Sequence, residues 1–325
     1  MGSARRRYTT DRLIAIAAVL VAAIGGSQSV FAAEAAEADA AEDAIPYSRR
    51  GADTCLGCHD DGKSLTIFMT KHGQRGDART PFGAGGLQCE SCHGPGGDHS
   101  KRPRRGEERA SMPYWGHASE ASSDELNAVC MDCHASHVGL KWAGSAHDVE
   151  DLECSSCHQV HAPKDPVLQI QTSSEVCSSC HLQQKVDTHK PYGHPISLKR
   201  FECVDCHEPH GSANEFSLVR NTTNETCYEC HQAQRGPHLW EHAPVVEDCS
   251  NCHLPHGSVN PAMLTKRAPL LCQSCHSQAG HPSIPYTTAG LPDGNPSAML
   301  LNGSCLNCHS QVHGSNHPSG ANLMR

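Results

Sequence analysis

Every cysteine in this chain belongs to a Cys-x-x-Cys pair, and every pair is followed directly by histidine. There are twenty cysteines and therefore ten such motifs. In chain order they are Cys55 with Cys58, Cys89 with Cys92, Cys130 with Cys133, Cys154 with Cys157, and Cys177 with Cys180. Cys203 with Cys206, Cys227 with Cys230, Cys249 with Cys252, Cys272 with Cys275, and Cys305 with Cys308 complete the set. Ten disulfides would be the first expectation for so cysteine-rich a chain in an oxidising compartment. Disulfides have no need of histidine at one fixed offset, and zinc sites built on Cys-x-x-Cys do not need it either. Covalent haem does, because two thioethers fix the porphyrin and the adjacent imidazole binds the iron. The sequence thus predicts ten covalently bound c-type haems. Their proximal ligands are His59, His93, His134, His158, His181, His207, His231, His253, His276 and His309.

Composition fits that reading. Of 325 residues, 37% are hydrophobic with cysteine counted among them, and only 3 Trp, 6 Tyr and 5 Phe occur. That is too little apolar material for an ordinary core of this length, so porphyrin must supply the rest. Motifs between Cys130 and Cys272 recur every 22–26 residues, room for one short helix and a loop each. The expected fold is a multihaem cytochrome c, mostly coil with short α-helices packed on ten haems and almost no sheet.

Fifteen histidines remain after the proximal ten. They sort with a period of two motifs, which divides the chain into five two-haem units. A histidine follows each even motif closely: His99, His161, His210, His256 and His313. Another lies between each odd motif and the next: His72, His147, His194, His242 and His281. These ten are the expected distal ligands. A histidine three residues from a proximal one cannot easily reach the opposite face of the same porphyrin, so it is expected to serve a neighbouring haem. His317 is an alternative to His313, while His117, His137, His189 and His238 read as surface residues or partners of haem propionates. Six methionines follow residue 32, irregularly spaced, and bis-histidine ligation is the simpler account.

Iron with two protein ligands has no open position, so the chain reads as an electron carrier and not an enzyme; direct reduction of a metal would be incidental. The formal charge of −9 and the scarcity of basic clusters argue against nucleic acid as a partner. One basic run, Lys101-Arg102-Pro103-Arg104-Arg105, reads as a solvated loop balanced by Glu107 and Glu108, or as a docking patch for an acidic redox partner.

At the N-terminus, Arg5, Arg6 and Arg7 precede an apolar stretch from Leu13 to Ile24, and small residues close the segment. This is the layout of a secretory signal peptide, residues 1–32, cut near Ala32 or Ala33. Its loss would leave 22 basic and 34 acidic residues, a net charge of −12. Residues 33–50 then form a flexible segment before a decahaem domain over 51–325.

Segments between the motifs carry a resemblance. Gly86-Leu87-Gln88-Cys89-Glu90-Ser91-Cys92-His93-Gly94-Pro95-Gly96-Gly97, Trp240-Glu241-His242-Ala243-Pro244-Val245 and the stretch from Cys308 to Gly320 resemble the periplasmic decahaem cytochromes of porin–cytochrome conduits, the MtrA/DmsE family. The likeness covers about residues 50–325. It implies an elongated, near-linear haem chain associated with the periplasm and outer membrane and seated in an outer-membrane β-barrel porin. Electrons would pass between periplasmic or inner-membrane cytochromes and an extracellular multihaem cytochrome or iron mineral, in iron reduction or iron oxidation. A soluble periplasmic shuttle or reservoir without a porin is the alternative, and a multihaem reductase a more distant one.

Overall fold

In a computed structural model, residues 45–115, 119–276 and 305–325 are described. The signal-peptide reading, His117 and His281 lie outside them. The chain forms two compact units, one of Met1–Cys58 with Leu87–Met112 and the other of His59–Gly86 with Pro113–Arg325.

The attachment motif dictates the local backbone. Three residues separate the first cysteine from the histidine, one helical turn, so the histidine N–H can bond back to the carbonyl four residues earlier. It does so from His93 to Cys89 at 3.0 Å, from His158 to Cys154 at 2.9 Å, and from His253 to Cys249 at 3.0 Å, and likewise in most of the other motifs. Odd motifs sit on α-helices: Ala52–Cys55, Ser123–His134, Ser173–Ser178, Thr223–Tyr228 and Ala268–Gln273 carry or end on their first cysteines. From the fourth motif on, even motifs sit on single 3-10 turns: Cys154–Ser156, Cys203–Asp205, Cys249–Asn251 and Cys305–Asn307. The two-motif period of the sequence is therefore also a period of backbone structure.

Ser123–His134, at 12 residues, is the longest of these helices, and it has the strongest start. Ser122 caps it by accepting the Glu125 N–H at 3.3 Å, and the Glu125 carboxylate accepts the Ser122 N–H at 2.8 Å. This helix holds the whole third motif, so Cys130, Cys133 and His134 share one continuous run of helical backbone. Most other helices span four to six residues, too short to stand alone. Among the described residues there is no strand, only isolated bridges such as Tyr192 with Ser258 and Trp240 with Ser315.

The protein core is small. The buried hydrophobic side chains are Ala52, Ile67, Phe82, Leu126 and Leu218, whereas Leu140 is 96% exposed and Met69 71%. Buried polar groups do much of the fastening. Asn127, on the helix of the third motif, donates to the Leu152 carbonyl at 2.9 Å and accepts the Cys154 N–H at 2.7 Å. Asn224 repeats this on the seventh motif, donating to Val245 at 2.9 Å and accepting the Cys249 N–H at 2.7 Å. Gln88 accepts the Ala52 N–H at 2.7 Å, and Ser173 donates to Glu202 at 2.6 Å. Each clip ties an odd motif to the even motif that follows.

Candidate haem-binding sites

Clipping brings the cysteines of a unit together. The first cysteines of each odd–even pair are in thiol hydrogen-bond contact: Cys55 with Cys89, Cys130 with Cys154, Cys177 with Cys203, Cys227 with Cys249, and Cys272 with Cys305. From one pair to the next, second cysteines lie close enough to feel each other's charge, as Cys157 with Cys180, Cys206 with Cys230 and Cys252 with Cys275. Burial foremost, with the charge of Cys55 adding, pushes the Cys89 thiol up to about 11. A hydrogen bond from Cys177 holds Cys203 down at about 7.

First and second cysteines differ in exposure. Every first cysteine is half-buried against its partner motif, whereas Cys133 is exposed, as are Cys58, Cys180, Cys206, Cys230, Cys275 and Cys308. In the third motif the contrast falls within one helix: Cys130 is turned toward Cys154, and Cys133, three residues on, stands open beside His134. An exposed thiol at the second position is where the rim of a covalent porphyrin would cover the chain. None of the twenty cysteines forms a disulfide.

The imidazoles meet in pairs, one motif histidine against one histidine from outside a motif. Ring centroids are 6.1 Å apart for His72 and His134, 6.1 Å for His147 and His181, and 6.0 Å for His158 and His210. They are 6.2 Å apart for His194 and His231, and 5.9 Å for His207 and His256. The last two pairs, His242 with His276 and His253 with His313, are at 6.1 and 6.2 Å. Two imidazoles sharing one metal ion, with bonds of about 2 Å and roughly 1.1 Å from each nitrogen to its ring centre, stand about 6 Å apart. The spacing is that of a ring on either side of one iron.

Pairing follows a rule that spacing alone does not reveal. A histidine trailing an even motif faces the even motif of the preceding unit, so His210 meets His158, His256 meets His207 and His313 meets His253. A histidine after an odd motif faces the next odd motif, so His147 meets His181 and His194 meets His231. Every pair thus joins two consecutive two-haem units. Backbone bridges hold the junctions: Tyr192 exchanges hydrogen bonds with Ser258 at 3.1 and 2.7 Å, and Trp240 with Ser315 at 2.8 and 2.9 Å. His-Gly-Ser at 256–258 and 313–315 serves this approach. Gly257, at φ +134°, lies where a Cβ would come within 2.2 Å of the Asp187 carbonyl.

The same junctions set the tautomers. Nδ1–H of His147 donates to the Pro209 carbonyl at 2.8 Å, that of His194 to Pro255 at 2.9 Å and that of His242 to Val312 at 2.9 Å. A proton fixed on Nδ1 leaves the Nε2 lone pair for metal. His207 and His253 donate likewise to Phe216 and Ala262, both at 2.8 Å.

Of the remaining histidines, His99 donates from Nδ1 to Ala110 at 2.7 Å. His161 donates to the Lys63 carbonyl at 3.1 Å, while Thr66 donates to the carbonyl of His161. His309 donates to Asn322 at 2.6 Å. His317 is turned locally, its Nδ1 taken by the Ser319 hydroxyl at 2.9 Å, while His313 faces His253. His189 likewise bonds within its own turn, to Lys185 at 2.7 Å. The basic run is partly neutralised in place, Lys101 by Asp98 and Arg104 by Glu107.

Haem fits these residues. Facing imidazoles have room for one ion between them, apolar side chains are left outward, and among the described residues no group of three or more His, Cys, Asp or Glu converges as a bare ion would need. His238 adds an orphan, an Nε2 buried without a hydrogen-bond partner, which an iron or a propionate would satisfy. Because its spacing matches neither histidine series, the sequence places His238 at the surface or beside a propionate, and the fold buries its Nε2. Only the fold packs it against Gly236 and Gly314.

The family model "Doubled CXXCH motif" matches residues 194–236 and 242–281, and "Cytochrome c-type protein NrfB-like" matches 89–176. Among curated proteins, the chain is 51% identical over 282 residues to the multiheme cytochrome MtrA of Shewanella baltica (strain OS185), covering 86% of this chain and 83% of that one. The chain belongs to the MtrA family. More distant likenesses fit within that assignment. NrfB of Haemophilus influenzae is 30% identical over 36% of this chain and 54% of its own, and cytochrome c-554 of Nitrosomonas europaea 33% identical over 28% and 38%. As an MtrA-family multihaem cytochrome, the protein binds c-type haems covalently and carries electrons. No helix among the described residues is long and apolar enough to cross a membrane.

Proposed function

We propose that this cytochrome holds ten haems as a continuous electron path and conducts across the outer membrane inside a β-barrel porin. It would link periplasmic or inner-membrane cytochromes to an extracellular multihaem cytochrome or iron mineral. The observation that carries the reading is the set of seven facing histidine pairs, each joining one two-haem unit to the next.

A covalently held haem supplies one-electron chemistry between ferric and ferrous iron. The protein's part is to hold and space it. The cysteines would hold each porphyrin, and because the first cysteines of a unit touch, consecutive attachment points are close. The facing imidazoles would hold the iron between them and so leave it no position for substrate. Carbonyls of Pro209, Pro255 and Val312 keep the imidazole protons on Nδ1 and so leave Nε2 free to hold a metal. In this scheme residues 1–32 export the chain to the periplasm. His99, His161 and His281 would serve the irons of His59, His93 and His309.

Likeness to MtrA over most of both chains supports the porin, as does a physical constraint. A mostly coil backbone leaves polar groups that hydrocarbon cannot satisfy, so a chain of this kind needs a barrel around it to cross a bilayer. Detergent-solubilised outer membrane should yield the cytochrome bound to a large β-barrel protein. Recovery solely as a free periplasmic monomer would overturn the conduit and favour a shuttle.

A further inference from the structure

Three even-motif histidines hold equivalent places in the repeat, and one of them differs in what its Nδ1–H meets. His207 donates to the Phe216 carbonyl and His253 to the Ala262 carbonyl, both at 2.8 Å. His158 donates instead to the Oδ2 carboxylate oxygen of Asp165, at 2.7 Å. The sequence differs at the same place: Ala162-Pro163-Lys164-Asp165 follows His161, where Gly-Ser follows His210 and His256.

We propose that Asp165 sets the potential of the haem held by His158 and His210 below those of the haems held by His207 with His256 and by His253 with His313. This rests on the axial pairing proposed above. A carboxylate draws the Nδ1 proton toward itself, makes Nε2 a stronger electron donor, and so favours ferric iron over ferrous; a carbonyl does this less. Its own setting keeps the Asp165 charge effective. The other oxygen, Oδ1, accepts the Gln159 N–H at 3.2 Å and the Val167 N–H at 3.4 Å, which fixes the carboxylate in place. The Asp165 side chain is 16% exposed, so water screens it weakly. Among the described ion pairs it has no Lys or Arg partner.

The opposite ligand adds in the same direction, though less. Glu208 Oε1 lies 3.5 Å from Nδ1 of His210, while its Oε2 is 2.7 Å from the Lys141 ammonium, which offsets most of its charge. The two rings of this pair are nearly parallel, at 7°. A carboxylate therefore stands behind each ligand, and one of the two is not neutralised by a cation. This iron belongs to the fourth attachment motif and would lie on the electron path proposed above.

The test is a potentiometric titration of the holoprotein, followed optically and by electron paramagnetic resonance. Asp165→Asn deletes the charge and keeps a single acceptor oxygen, which can serve either His158 or the two backbone N–H groups but not both. One component of single-haem amplitude should move to higher potential with the others superimposed on wild type, and Asp165→Glu should return it toward wild type. An unchanged titration, or a downward shift, overturns the proposal. Asp165→Ser is a second neutral variant, read the same way, for use if Asp165→Asn lowers the haem content. His210→Met separates this from the ligand reading. If His210→Met creates a histidine–methionine spectrum while Asp165→Asn is silent, the tuning fails and the pairing stands; if His210→Met changes nothing, the pairing itself fails.

Discussion

At the residue scale, the decisive groups are imidazoles whose partners lie far along the chain. His256 faces His207 at 5.9 Å, so His256→Met should replace a nitrogen ligand by thioether sulfur and raise the potential of one haem. His189→Ala, whose ring bonds only to its own turn, should leave the redox titration unchanged. The motif residues are legible from sequence because Cys-x-x-Cys-His is complete within one helical turn. The pairing His256–His207 is not, because it depends on how the next unit folds back. Asp165 is illegible for a related reason: one carboxylate in a loop has no pattern until its distance to His158 is known.

Glu90 makes the other residue-scale prediction. Burial opposes its ionisation, but hydrogen bonds from the Ser48 hydroxyl at 2.7 Å, the Gly96 N–H at 2.7 Å and the Ser48 N–H at 2.9 Å outweigh burial and hold its carboxyl below the usual range. A depressed folded value means the stabilisation is present above the unfolded value near 4.5 and is lost as pH falls through the folded one. Glu90→Ala should cost about 1–3 kcal/mol at pH 7. In thermal unfolding of the holoprotein, the gap between wild type and variant should narrow in acid; a gap independent of pH would contradict the assignment.

At the scale of elements, short helices and turns survive because clips and glycine junctions hold them. Asn224 serves the Cys249 N–H and the Val245 carbonyl together, and Asn224→Ala should cost about 1–3 kcal/mol by leaving buried groups unpaired. Gly257→Ala should cost about as much, since its φ of +134° and the Asp187 carbonyl both oppose a side chain. Gly62, with open space where a Cβ would point, supplies the contrast: Gly62→Ala should be neutral or stabilising by up to about 1 kcal/mol. Unfolding midpoints of the three variants check the order. The alternation of motifs was readable from histidine spacing. That it alternates α-helix with 3-10 turn from the third motif on was not, since the attachment motif closes the same histidine-to-cysteine turn in both.

Across the whole molecule, scarcity of core and abundance of ligands are one fact. Five buried apolar side chains among the described residues cannot offset the conformational entropy of a chain this long, so the protein should not fold without haem. Chain made in cells lacking haem attachment should show no cooperative unfolding transition by circular dichroism. Fold class was legible because cysteine, histidine and aromatic content all demanded porphyrin. The interlocking of two-haem units was not, because it lives in ring pairs and bridges such as Trp240 with Ser315, which link distant segments.

If facing histidines close both sides of every iron, as proposed, the oxidised holoprotein holds no open iron. Near-infrared magnetic circular dichroism of the oxidised holoprotein, normalised to haem content, measures this directly. Bis-histidine bands should account for all of the haem. A histidine–methionine band, or a high-spin signal of one haem equivalent or more, would contradict it.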